Sequence, residues 1–138
     1  MEAKELRIGN LLYLAFAKKN VVVFGIDVIE ISEITHNLIR FKDGINFSVS
    51  KIELFEPILL TEEWLLNFNF ELKSMVNGKV LVYRNNMLAV SFNTDNKIIS
   101  IHIGIQRIDD GKKIKYVHQI QNLYFDLTGQ ELFIKNQE

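Results

Sequence analysis

Short turn signals divide this chain into apolar segments, and their spacing constrains the fold more than any other feature. The signals Gly9-Asn10, Asp43-Gly44, Asn77-Gly78 and Asp109-Asp110-Gly111 separate runs rich in isoleucine, valine and phenylalanine. Asn-Gly and Asp-Gly accept the positive φ angles of tight hairpin loops, and β-branched and aromatic residues favour strands. The sequence therefore predicts an antiparallel, strand-rich fold whose neighbouring strands pair as hairpins.

The first half of the chain reads as strands alone. Gly25 suits a bend or bulge, and Pro57, which lacks an amide donor, suits a strand end or a sheet edge. We expect a small SH3-like barrel over residues 6–58. Its extended segments are 11–17, 21–31, 37–42, 45–50 and 51–59, with turns at Lys18-Lys19-Asn20 and Asp43-Gly44.

The second half begins with a short helix and continues as a meander. Thr61 is a suitable N-cap, because its hydroxyl can accept from a free amide of the first turn. Trp64 is predicted to be largely buried and to anchor this helix. Strands are expected over 71–76, 79–84, 87–93 and 97–108, the last with Ile99, Ile101, Ile103 and Ile105 on one buried face.

An amphipathic helix closes the chain and ends at Thr128-Gly129. Its apolar residues recur with helical spacing and are predicted to be core: Val117, Ile120, Leu123, Tyr124 and Leu127. The fold class is therefore α+β, antiparallel and β-rich, with two short helices. We expect a single domain over 1–138, in which an N-terminal half (1–60) and a C-terminal half (61–138) share one core.

The composition argues against several kinds of site. The chain has no cysteine, which excludes disulfides and thiolate chemistry, and its three histidines match no metal-binding spacing. It has no G-x-S-x-G nucleophile elbow and no glycine-rich phosphate loop. We expect a protein that is not an enzyme, with no catalytic residues, no metal and no cofactor. The charged N-terminal stretch and the lack of a long apolar run predict a cytoplasmic protein outside the membrane.

One segment near the C-terminus stands out as a candidate partner-binding surface. The basic stretch 107–118 could contact RNA or an acidic protein, or could be an ordinary solvated tip. On the helix that follows, a polar edge is either a recognition face or a rim whose amides satisfy neighbouring backbone. The candidate residues are Arg107, Lys112, Lys113, Lys115, Tyr116, His118, Gln121 and Asn122.

Three stretches together resemble a family of small uncharacterised bacteriophage and prophage proteins. They are "ELRIGNLLYL", "EPILLTEEWLLNFNF" and "YVHQIQNLYFDLTGQEL", which lie in the same order and cover most of the chain. The resemblance implies a phage or prophage origin and carries no established chemistry with it.

Phage proteins of this style are often inhibitors of host defence proteins, including anti-CRISPR proteins. The resemblance therefore leads us to expect a protein-binding inhibitor, with a type VI, RNA-targeting CRISPR nuclease or its RNA complex as one conceivable target. The alternative is a nucleic-acid-associated accessory protein that uses the basic segment 107–118. Salt dependence separates the two, because phosphate contacts weaken steeply as salt rises.

Overall fold

The computed structural model describes residues 1–18, 21–43 and 46–135, in which ten strands form two antiparallel sheets and two α-helices are present. This confirms the predicted β-rich α+β class. The chain divides into two compact units, Met1–Leu59 with Tyr116–Asn122, and Leu60–Lys115 with Leu123–Glu138. Residues 116–122 of the expected C-terminal half thus belong to the first unit, and a single domain over 1–138 with two halves stays a prediction.

The first unit contains one five-stranded sheet in the order β4-β3-β2-β1-β5. A 3-10 turn at Ile52–Leu54 precedes β5, which returns to pair with β1, and closure into an SH3-like barrel stays a prediction. The strands are β1 (Leu11–Lys18), β2 (Val21–Thr35), β3 (Leu38–Asp43), β4 (Asn46–Lys51) and β5 (Phe55–Pro57).

The structure confirms the predictions for Gly25 and Pro57 in this sheet. The register between β1 and β2 shifts between Leu14 and Phe16, so Gly25 lies in a bulge of β2. Pro57 ends β5, which is an edge strand. The predicted turns at Lys18-Lys19-Asn20 and Asp43-Gly44 lie partly outside the described residues.

The core of the first unit fixes which side of β3 faces solvent. Ile39 and Phe41 are buried, and the Phe41 and Phe55 rings meet edge to face with centroids 5.7 Å apart. Because successive side chains of a strand point to opposite faces, Arg40 and Lys42 must face outward, and both are exposed.

The second unit contains the meander, in the order β10-β9-β8-β7-β6. At the turn between its first two strands, Asn77 and Gly78 have φ angles of 53° and 67°, as the predicted two-residue hairpin loop requires. The strands are β6 (Glu71–Val76), β7 (Val80–Arg84), β8 (Leu88–Phe92), β9 (Ile98–Ile103) and β10 (Gln106–Asp109).

The predicted long strand over 97–108 is wrong. Gly104 has a φ of 57° and forms a tight turn with Ile105, which separates β9 from β10. Ile105 lies at the tip of this hairpin and is fully exposed, although the alternation of isoleucines predicts it as core. Glycine at the first central position of a two-residue loop allows the chain to reverse here without an Asn-Gly signal.

Helix α1 (Glu62–Asn67) begins at the predicted cap, where the Thr61 side chain accepts from the Trp64 amide at 3.3 Å. The residue that anchors it is Leu65, which is completely buried, together with Phe68. Trp64 is half-buried and its ring lies 5.8 Å from that of Phe68, so it is less enclosed than predicted.

Helix α2 (Val117–Thr128) ends where predicted, and the Gly129 amide closes it by donating to the Phe125 carbonyl at 2.7 Å. Val117 and Ile120 are completely buried, as expected. Leu127 is an exception to the predicted core, because 40% of its surface is exposed.

Candidate partner-binding surface

The cations of the predicted basic segment lie on two structural pieces. Arg107 lies on β10, and Lys112, Lys113 and Lys115 lie in the loop that connects β10 to α2. All four side chains are exposed. Lys112 forms one weak ion pair with Asp110 at 3.6 Å, which at this exposure contributes little to stability.

The carboxylate of Asp109 organises this loop. Asp109 is buried, and it accepts backbone hydrogen bonds from Gly111 at 3.0 Å and from Lys113 and Ile114 at 3.3 Å. Amides that would otherwise be free are thereby satisfied, and the loop has a defined path. Because the Asp109 carboxylate already accepts from the backbone, it is used to hold the loop that carries the lysines.

Gly111 is required by this path. Its φ is 85°, and a Cβ atom at this position would lie 2.1 Å from the Ile98 carbonyl oxygen. Only glycine can therefore occupy the turn with the loop pressed against the start of β9.

The polar residues of α2 hold the N-terminal segment of the first unit. Gln121 accepts from the Leu11 amide at 2.9 Å and donates to the Gly9 carbonyl at 3.1 Å. Asn122 accepts from the Asn10 side chain at 2.8 Å and donates to the Glu5 carbonyl at 2.9 Å. The side-chain amides of Gln121 and Asn122 thus satisfy neighbouring backbone groups, which is the second of the two interpretations of this polar edge.

His118 is also an interior residue, with 2% of its surface exposed. Its ring stacks on that of Tyr116 with centroids 6.0 Å apart, and its Nδ1 atom has no hydrogen-bond partner among the described residues. Burial lowers the pKa of the His118 imidazole, since the charged form loses hydration, and the carboxylate of Glu5 partly opposes this.

An exposed recognition edge made of the α2 residues is therefore wrong for His118 and Gln121, which are buried. Asn122 and Tyr116 are half-buried, so that of the eight candidate residues the four cations are exposed. A partner-binding role for those cations stays a prediction.

The structure reveals a surface that the sequence prediction missed, on the solvent side of β3 and β4. The register pairs Arg40 with Val49 and Lys42 with Phe47, and it pairs the buried Phe41 with Ser48. Directly paired residues share a face of the sheet. We call this surface the outer β3–β4 face: Leu38, Arg40, Lys42, Phe47, Val49 and Lys51.

The polarity of β4 is inverted relative to an ordinary core strand. Phe47 and Val49 face solvent with 52% and 54% of their surfaces exposed, whereas Ser48 and Ser50 occupy the inner side and are half-buried. Fully burying such an apolar side chain would contribute roughly 1.5–3 kcal/mol. The strand forgoes much of that stabilisation, which favours a role for these side chains other than folding.

Charge surrounds the apolar side chains of this face. The Arg40 guanidinium lies over the Phe47 ring, 4.6 Å from its centroid, and makes a 3.5 Å ion pair with Glu33. Lys42 and Lys51 add two further exposed cations. The outer β3–β4 face thus combines an apolar centre with a net positive rim.

A sequence signal for this face exists in the hairpin itself. Phe47 and Val49 alternate with serines, and the alternation by itself predicts that they are core. The partner strand carries Arg40 and Lys42 around Phe41, so that only one of its two faces can be buried. Which β4 residues share that buried face depends on the register, since a slip of one residue exchanges the two faces.

The second unit contains a pair of polar groups on α1 and β7. The Tyr83 hydroxyl donates to a Glu62 carboxylate oxygen at 2.5 Å. Burial and this hydrogen bond raise the pKa of Tyr83 to about 12, so the phenol remains a donor at neutral pH. The pair fixes the side of the helix to the sheet within this unit.

A groove of about 870 Å³ also lies within the second unit, beside the start of β6, with the ion-paired Glu71 and Lys73, 2.6 Å apart, in its lining. Among the side chains that the structure describes, no cluster of three or more metal-binding groups occurs. In the same part of the chain, no helix is long and apolar enough to cross a membrane.

Comparisons of the chain with protein-family models, with curated proteins and with solved structures found no match.

Proposed function

We propose that this chain is a non-enzymatic protein-binding module of phage or prophage origin, which acts in the host cytoplasm by docking the outer β3–β4 face on an acidic protein surface. The inverted polarity of β4 carries this proposal: Phe47 and Val49 face solvent while serines face inward. Aromatic residues and arginine are enriched at protein interfaces, whereas ordinary strand surfaces are polar.

The chemistry of the face indicates the partner. Its apolar centre fits a desolvated apolar contact, and the cations Arg40, Lys42 and Lys51, which exceed the single paired Glu33 in charge, fit carboxylates around that contact. The resemblance to phage proteins suggests a host defence protein, and we propose an inhibitory, anti-CRISPR role with a type VI CRISPR nuclease as one target.

Affinity capture from a bacterial host, followed by measurement with the purified partner, tests this function. Phe47→Ser should weaken binding at least about tenfold, the effect expected of an interface anchor. Val76→Ser is the matched control for Val49→Ser, because Val76 is also a half-exposed strand valine, on β6. Equal binding by the Val49→Ser and Val76→Ser variants and by the wild type would refute docking through this face.

A direct assay tests the named target. Target-RNA cleavage by a type VI nuclease should fall when the wild-type chain is added, and Lys51→Glu should restore it. Undiminished cleavage at saturating concentrations of the chain would remove this nuclease as the partner.

A second candidate function, an RNA-associated accessory role, is favoured by the rigid basic loop. Arg107, Lys112, Lys113 and Lys115 are exposed, and Asp109 is used internally. Binding of a labelled single-stranded RNA should then weaken steeply with salt and depend on Lys113. Partner binding that survives Lys113→Ala and weakens only modestly with salt favours the protein-binding function instead.

A further inference from the structure

We infer that β4 receives its partner as an added antiparallel strand, so that an extended segment of the partner protein continues the sheet of the first unit. This inference rests on the proposed function and names how the same face is used. The segment would carry apolar side chains beside Phe47 and Val49 and a carboxylate beside Lys51.

The position of β4 carries the first step. It is the terminal strand of the five-stranded sheet, and no described strand pairs with its outer edge. An edge strand presents a row of backbone donors and acceptors that is a template for another chain. Four of the six residues of β4, Asn46, Phe47, Val49 and Lys51, are exposed.

The regularity of β4 carries the second step. Its pairing with β3 runs without interruption from Leu38 and Lys51 to Asp43 and Asn46. Both edge strands of the second unit are irregular, since β6 has a register shift between Leu72 and Ser74 and β10 has one between Arg107 and Asp109. Bulges and prolines protect edges from pairing, and β5 ends in Pro57. Of these four edges, β4 alone has neither protection.

The side chains of β4 define the sequence of the added strand. Partners opposite Phe47 and Val49 should be apolar, and the partner opposite Lys51 should be acidic. Partners opposite Ser48 and Ser50 lie on the inner side, where small β-branched residues fit a half-buried surface. Backbone hydrogen bonds then supply affinity and the alternate side chains supply specificity.

A synthetic peptide with the order glutamate, threonine, valine, threonine, valine, glutamate is the probe. Titrated into the isotopically labelled full chain, it should shift the amide resonances of 46–51 and leave those of 71–76 in place. The same peptide with lysines replacing the glutamates should bind more weakly. Lys51→Glu should reverse that preference, since it inverts the charge that meets the first glutamate.

Two N-methylated peptides distinguish strand addition from docking by side chains alone. The amides of the valines and those of the threonines point to opposite edges of an extended strand, so only one set can donate to β4. Methylation of that set should weaken binding at least about tenfold, because two hydrogen bonds are lost, and methylation of the other set should change it little.

Equal effects of the two methylated peptides would overturn strand addition, whether both bind or neither does. Shifts confined to residues outside 38–51, or no shift with the parent peptide at millimolar concentration, would overturn it as well. Strand addition would also be overturned if single-stranded RNA bound residues 38–51 more strongly than the peptide does. The proposed function fails separately, when the natural partner ignores Phe47→Ser and Val49→Ser.

Discussion

Replacing Gln121 by leucine tests whether the polar side of α2 is structural. The side chain has 2% of its surface exposed and holds the Leu11 amide and the Gly9 carbonyl. Leucine has a similar size and cannot form either bond, so two buried backbone groups lose their partners. An unsatisfied buried polar group costs about 1–3 kcal/mol, and the gain from a buried leucine offsets part of the sum.

We therefore expect Gln121→Leu to lower the free energy of unfolding by about 2–4 kcal/mol, which corresponds to a drop in Tm of roughly 6–16 °C for a chain of this length. Urea and thermal unfolding followed by circular dichroism measure this, and amide exchange at Leu11 should accelerate. Gln106→Leu is the control, since Gln106 is an exposed strand residue and should change stability by less than about 0.5 kcal/mol.

The result that would refute this reasoning is a Gln121→Leu variant as stable as Gln106→Leu with unchanged exchange at Leu11. The hydrogen bonds of Gln121 would then contribute nothing measurable to the free energy of unfolding.

Three further outcomes are expected. Burial lowers the pKa of His118, so the unfolded chain binds the proton more tightly than the folded chain does. The free energy of unfolding should therefore be full above pH 6.5 and fall as the pH drops through the lowered folded pKa. His118→Gln should flatten that slope in unfolding measurements at several pH values. Gly111→Ala should destabilise the chain by more than Gly129→Ala does, because a Cβ atom at position 111 collides with Ile98. Gly129→Ala meets only the backbone strain of about 1–2 kcal/mol. Equal Tm values of the two variants would contradict this. Phe41→Ser should lower the free energy of unfolding by about 3–5 kcal/mol, whereas Phe47→Ser should leave the Tm within a few degrees of the wild type. A comparable loss of stability from both variants in urea titrations would show that Phe47 is a core residue.

The sequence by itself determined the features whose causes lie within a few residues. The loop at Asn77-Gly78 needs two positive φ angles and carries residues that accept them. Helix α1 begins at Thr61 because its own side chain caps the first turn, and α2 ends before Gly129 because glycine accepts the left-handed conformation. Each was predictable, since neither end requires a partner from a distant part of the chain.

Only the tertiary structure decided which polar and apolar side chains are inside. Gln121 is buried because its partners are the backbone groups of Gly9 and Leu11, more than a hundred residues earlier in the chain, and no local pattern records that pairing. Phe47 faces solvent because the register with β3 assigns it to the side of Lys42, although alternation alone predicts it as core. The period of two indicates that a strand has two faces, but the pairing with other strands determines which face is buried.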